Sequence, residues 1–121
     1  MAVDLTIKQA QQQVNEYLKA KGEKWTKLSI HYLRVTHLVE EVGELARGVI
    51  NLDAEYGDPN RRGMNLSHEE KLAMVQDAVG DIFYHLLAIS IAYEIDLQTA
   101  LQSSIRSITQ RYPAVSAGSS E

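Results

Sequence analysis

Cysteine is absent from the 121-residue chain. That excludes a disulfide framework, a thiolate zinc site and a cysteine nucleophile, and it fits a reducing compartment. Proline occurs only at Pro59 and Pro113, and glycine seven times. No window alternates polar and apolar residues between turn signals in the manner of a strand. The glycines form no phosphate-cradling loop, so a P-loop NTPase is excluded. Basic residues are outnumbered, 12 Lys and Arg against 16 Asp and Glu, for a formal charge of −4. This acidic balance argues against nucleic acid as a partner, since non-specific binding needs a net basic surface. The longest apolar run, 82–93, contains His85 and Ser90 and falls short of the ~20 residues of a membrane span. No membrane partner is therefore expected. Residues 1–6 lack a basic n-region, no signal peptide is expected, and a cytoplasmic location is the corresponding expectation.

What remains is a soluble globular composition, 45% hydrophobic and 23% charged, in a length that suits one domain. Helical periodicity appears four times. A first helix starts near Thr6, where Thr6-x-x-Gln9 resembles a capping box. Ile7, Ala10, Val14 and Leu18 form its stripe, and Gly22 is a stop signal. A second helix begins between Thr26 and Ser29 and is expected to run to about Leu52. Residues 51–65, rich in Asn, Asp, Gly and Arg with one proline, read as a loop. Ser67-x-x-Glu70 is a second capping box and opens a third helix that runs to about Tyr93. Asp96 is the N-cap of a fourth helix over 97–111, ended by Pro113. The domain is expected over 1–113, and 114–121 is expected to be a disordered tail.

The fold expectation is therefore all-α, a four-helix bundle. From Ile82 to Ile95 the third helix is apolar on nearly every side, which marks a central helix. Four helices rarely enclose one of their own completely. A homodimer that buries this helix, alone or paired into a tetramer, is expected on that ground.

Acidic residues show the most specific pattern. Glu41 and Glu44 on the second helix lie about 60° apart, one turn from each other, beside Leu38, Val42, Leu45 and Val49. Asp77 and Asp81 on the third helix lie about 40° apart. Like charges at the border of an apolar core repel and are costly to desolvate. No Lys or Arg stands three or four residues from Asp77 or Asp81. A hard divalent cation resolves the conflict, and an all-oxygen donor set favours Mg2+, Mn2+ or Ca2+ over Zn2+. The other reading of the same residues is a pair of solvated acidic faces.

Glu40-Glu41-Val42-Gly43-Glu44, followed by an acidic helix with Asp81 and an apolar continuation, resembles the MazG-like branch of the all-α nucleoside triphosphate pyrophosphatases. Trp25 and the stretch from Asp96 to Pro113 add to the likeness, which runs from about Leu5 to Pro113. The resemblance implies a MazG-like bundle assembled as a homodimer or dimer of dimers. It implies a nucleoside triphosphate substrate, hydrolysed to monophosphate and pyrophosphate with Mg2+, which Mn2+ can replace. It assigns Glu41, Glu44, Asp77 and Asp81 to the metal, and Glu40 with Glu41 to catalysis. Trp25, Lys27, His85 and Arg111 are assigned to substrate, and the role implied is house-cleaning of the nucleotide pool. This chain departs from the pattern at Ala78, where relatives carry Glu. It departs again at Ser104 and Ile108, where many carry Lys and Asn.

Several residues carry two readings. Trp25 stacks on a base or wedges a loop into the bundle. His85 lines the pocket or is a hydrogen-bonded core histidine. His37 orients Glu41. Glu40 orients water or is a solvated surface charge. Lys24, Lys27, Arg34, Arg61 and Arg62 contact phosphate or are solvated. A catalytically idle helical oligomer that keeps metal or nucleotide is the rival function. A di-iron bundle would need Glu-x-x-His on two helices, and no His follows a Glu at that spacing.

Overall fold

The computed structural model describes residues 4–22, 28–57 and 66–115, with side chains described for 4–22, 32–53 and 66–115. Four helices follow in order, α1 (Ile7–Lys21), α2 (Leu28–Gly57), α3 (His68–Ala92) and α4 (Leu97–Arg111). No strand occurs among the described residues. The all-α expectation holds.

The local signals operate as read. Thr6 and Gln9 close a reciprocal capping box at α1, and Gly22 ends the helix with φ 102°, a left-handed conformation open to glycine. Ser67 and Glu70 form the second box at α3. The Asp96 carboxylate accepts from the backbone N–H groups of Gln98 and Thr99 and from the Thr99 hydroxyl. These bonds, led by those from Thr99, hold the Asp96 carboxyl below its usual range.

One boundary differs. α2 continues to Gly57, where a loop was expected from Asn51. The Asn51 side chain donates to the Arg47 carbonyl one turn back, at 2.8 Å. It thus joins the helix it was expected to end, and no proline interrupts the segment before Pro59. The rest of the expected loop, 58–65, lies outside the described residues, as do 116–121 of the expected tail.

α2 and α3 form the principal packed pair, with α1 against α3 and α4 against α1. The α2–α3 pair is antiparallel: Gly48 meets Val75 at one level and His37 meets His85 at another. α1 is tied to the far end of α3 by Gln11, whose amide donates to Ser90 Oγ (3.1 Å) and to the Ile95 carbonyl (2.6 Å). Ser90 Oγ in turn donates to the Leu87 carbonyl, so this buried hydroxyl is satisfied on both sides.

The hydrophobic core of the described chain is small: Leu18, Ala78, Leu87 and Ala88. α3 was expected to be enclosed, yet Val79, Phe83 and Leu86 remain exposed, and α4 buries no residue at all. By length and composition α3 also qualifies as a membrane-crossing helix. Its uninterrupted apolar run is shorter, and the apolar stretch gains its length by including residues on both sides of Asp81. Apolar character on most faces is equally that of a central bundle helix.

Candidate active site

The antiparallel α2–α3 pairing sets the geometry. His37 and His85 stack across the two helices, ring centroids 6.2 Å apart and planes 12° from parallel. One turn along α2 stands Glu41. One turn back along α3 stands Asp81. These two carboxylates therefore face the same interhelical level, and Glu44 follows one turn beyond Glu41.

Glu41 feels the charges of both Glu44 and Asp81. The Glu41 carboxyl is raised above its ordinary range, first by desolvation, then by the charges of Glu44 and Asp81, a hydrogen bond with Glu44 and the charge of Glu40. Glu41 Oε2 is shielded from solvent and has no hydrogen-bond partner. A desolvated acceptor in a field of like charge is costly. It is the kind of atom that a hard cation satisfies, and the donor set is all oxygen. The residues fit a divalent ion in chemistry. In this arrangement no three His, Asp or Glu side chains among the described residues already stand close enough to hold one together.

The remaining assigned residues fall in different places. Glu40 is exposed and meets His37 Nδ1 through Oε2 at 3.4 Å. His37 was expected to orient Glu41; the carboxylate it meets is that of Glu40. Asp77 is exposed on α3 and is not among the charges acting on Glu41. Ala78, at the position of the missing carboxylate, is 3% exposed and belongs to the core. Arg111 ends α4, exposed, and donates to Ser107 Oγ at 3.1 Å. Trp25 and Lys27, with Lys24, Arg61 and Arg62, lie outside the described residues.

A pocket of about 280 Å³ opens beside the carboxylates, between α1, α2 and α3. Tyr17, Leu18 and Lys21 come from α1, Leu33, Arg34 and His37 from α2, and Tyr84 and His85 from α3. Arg34 is only 9% exposed. Its guanidinium lies 5.8 Å from the centroid of the Tyr84 ring, and Nη1 lies 3.5 Å from His85 Nδ1. Since a guanidinium only donates, Nδ1 is the acceptor and the His85 proton sits on Nε2. Burial, then Arg34 and His37, hold His85 below its usual range against the opposing pull of Asp81. His85 lines this cavity. Tyr17, Lys21 and Tyr84 were missed; their only trace in the sequence is the one-turn spacing of Tyr17 and Lys21 and the adjacency of Tyr84 to His85.

The family model of the MazG nucleotide pyrophosphohydrolase domain matches residues 31–116. The chain belongs to this family. The match contains all the acidic residues of the site and three of the four helices, and it begins inside α2, so α1 precedes it. The MazG-domain chain is also similar to the uncharacterized protein YvdC of Bacillus subtilis (strain 168). The two are 23% identical over 108 residues, which span 89% of this chain and 97% of the relative. At family level, membership makes this MazG domain a nucleotide pyrophosphohydrolase.

Proposed function

We propose that the protein is a Mg2+-dependent pyrophosphohydrolase that converts a (d)NTP to the (d)NMP and pyrophosphate. The observation that carries this reading is the unpartnered, solvent-shielded Oε2 of Glu41, set among Glu44, Asp81 and Glu40 in a MazG domain. Glu41, Glu44 and Asp81 would hold the ion directly, with Asp77 one turn from Asp81 reaching it through water. When bound, Mg2+ (or Mn2+) supplies charge neutralisation on the triphosphate and a more acidic water. Glu40, steadied by His37, accepts the proton of the water that attacks the α-phosphorus. The P–O bond to the β-phosphate bridge breaks, and pyrophosphate leaves. Nucleotide-pool house-cleaning in the cytoplasm is the role that suits such a reaction.

We also propose a second copy of the chain as partner, as a dimer or dimer of dimers. The uncovered residues include Phe83 and Leu86 on α3 and Leu101, Ile105 and Ile108 on α4.

A second reading, metal or nucleotide binding without turnover, is favoured by one observation: Ala78 is packed into the core where relatives carry a carboxylate. Product analysis decides. A panel of common and modified NTPs with Mg2+ and with Mn2+ is expected to release monophosphate and pyrophosphate in equal amounts. Thermal stabilisation by metal and nucleotide with no product from any of them would overturn the enzymatic reading.

A further inference from the structure

We propose that α4 of a second copy lies in the groove between α2 and α3, on the side away from the pocket, and that the two copies do this reciprocally. The proposal rests on the second-copy reading above and states which faces meet. Three apolar strips stand uncovered. On α4 the strip is Leu101, Ile105, Ile108 and Tyr112, all exposed. On α2 it is Val35, Val39, Val42 and Val49, and on α3 it is Leu72, Val79, Phe83 and Leu86, again all exposed. Each strip recurs at intervals of three, four or seven residues, the spacing of a seam that packs against another helix. At 100° per residue, the α2 and α3 strips lie roughly 150–180° round their helices from the residues that line the pocket. They therefore form one two-helix face behind it.

Shape, charge and coverage select the occupant. Within its own chain α4 packs on α1 and buries no residue. A single helix fills the groove between two others, and the lengths agree. Leu101 to Tyr112 spans about 17 Å and Leu72 to Leu86 about 21 Å at 1.5 Å per residue. α4 carries Arg106 and Arg111 and no acidic residue. The end of the groove by the start of α3 carries Asp53, four residues after Val49, and Glu69, three before Leu72, both exposed. Arg111 at that end gives α4 its direction, antiparallel to α3, with Ile108 level with Leu72 and Leu101 level with Val79. One twofold dimer then covers all three strips. Hairpin against hairpin leaves α4 bare, and α4 against α4 leaves the hairpin bare. The pocket stays open on the outer side.

The chain has no cysteine, so single cysteines report on contact cleanly. L101C and V79C full-length chains, carrying different tags, are co-expressed or expressed singly, then treated with a short bis-maleimide. Sedimentation is measured alongside. The co-expressed pair is expected to yield linked dimer containing one chain of each kind, and each variant alone is expected to yield almost none. Circular dichroism checks folding, and I108C with L72C serves as a second pair if either first variant fails to fold. Linkage of V79C to itself would place hairpin on hairpin and overturn the proposal. Linkage of L101C to itself would place α4 on α4 and overturn it equally. A dimer in sedimentation with no link from either pair would overturn the placement and leave the second copy standing. A folded monomer would defeat both.

Discussion

A Cβ placed on Gly48 would lie 2.9 Å from Val75 Cγ2, closer than packed carbons approach. α2 and α3 come together at this point, on the far side of the acidic residues from the His37–His85 stack. The missing side chain lets the helices close, and their closeness sets Glu41 opposite Asp81. Gly48→Ala gains about 0.5–1 kcal/mol of helix propensity. It loses about 1–3 kcal/mol to overpacking, because Val75 is β-branched and stiff in a helix. A net loss of roughly 1 kcal/mol is expected in urea unfolding. Gly43→Ala is the control: its Cβ meets nothing within 4 Å, so only the propensity gain remains.

Glu41→Gln should separate stability from activity. The Glu41 carboxyl is raised above 4.5, so the folded state prefers it protonated. Its charge opposes folding at every pH above the folded value, and the penalty disappears as pH falls below 4.5. The Gln variant is therefore expected to melt higher than wild type at pH 7 and to match it at pH 4. Its Mg2+-dependent activity should fall by orders of magnitude. Asp81→Asn, which removes one of the charges acting on Glu41, should shift the melting curve the same way. Melting curves across pH, beside product assays, check both.

His85 should give a pH dependence of opposite sign. Its imidazole is held below 6.5, so the unfolded chain takes up a proton that the folded chain refuses. The stability it contributes is complete above pH 6.5 and declines as pH falls from there through the folded value. His85→Phe should flatten the wild-type stability curve between about pH 5 and 7 while keeping a ring against His37. Denaturant titrations at closely spaced pH values measure the slope.

Uncovered apolar residues on α3 and α4 predict association. Sedimentation at micromolar concentration is expected to show a dimer or tetramer. Phe83→Glu, at a position 40% exposed in the single chain, should drive the assembly toward monomer and lower its thermal stability. A wild-type chain that sediments as a folded monomer would contradict the expectation.

Local chemistry was the most legible part of this fold. Thr6, Ser67 and Asp96 each announced a helix start, because a short polar side chain beside the first turn has one obvious use. The end of α2 was misread because Asn51 carries two meanings, turn former or helix member bonded one turn back, and its bond to the Arg47 carbonyl is the second. Glu41, Glu44 and Asp81 were legible because spacing on a helix fixes direction. Asp77 was harder. Helical spacing places it near Asp81, yet it is absent from the field at Glu41, and Ala78 beside it turns into the core. The pocket was the least legible. It draws on three helices, and no local pattern links Tyr17 to Arg34 or Tyr84 before the bundle is assembled.

α1 stands before the segment matched by the family model, yet it supplies Tyr17, Leu18 and Lys21 to the pocket and none of the acidic residues. The pocket thus draws on α1 as well as on α2 and α3, whereas the acidic residues lie on α2 and α3 alone. Exchanging α1 for another helix would therefore remake one wall of the pocket and leave every member of the acidic cluster in place.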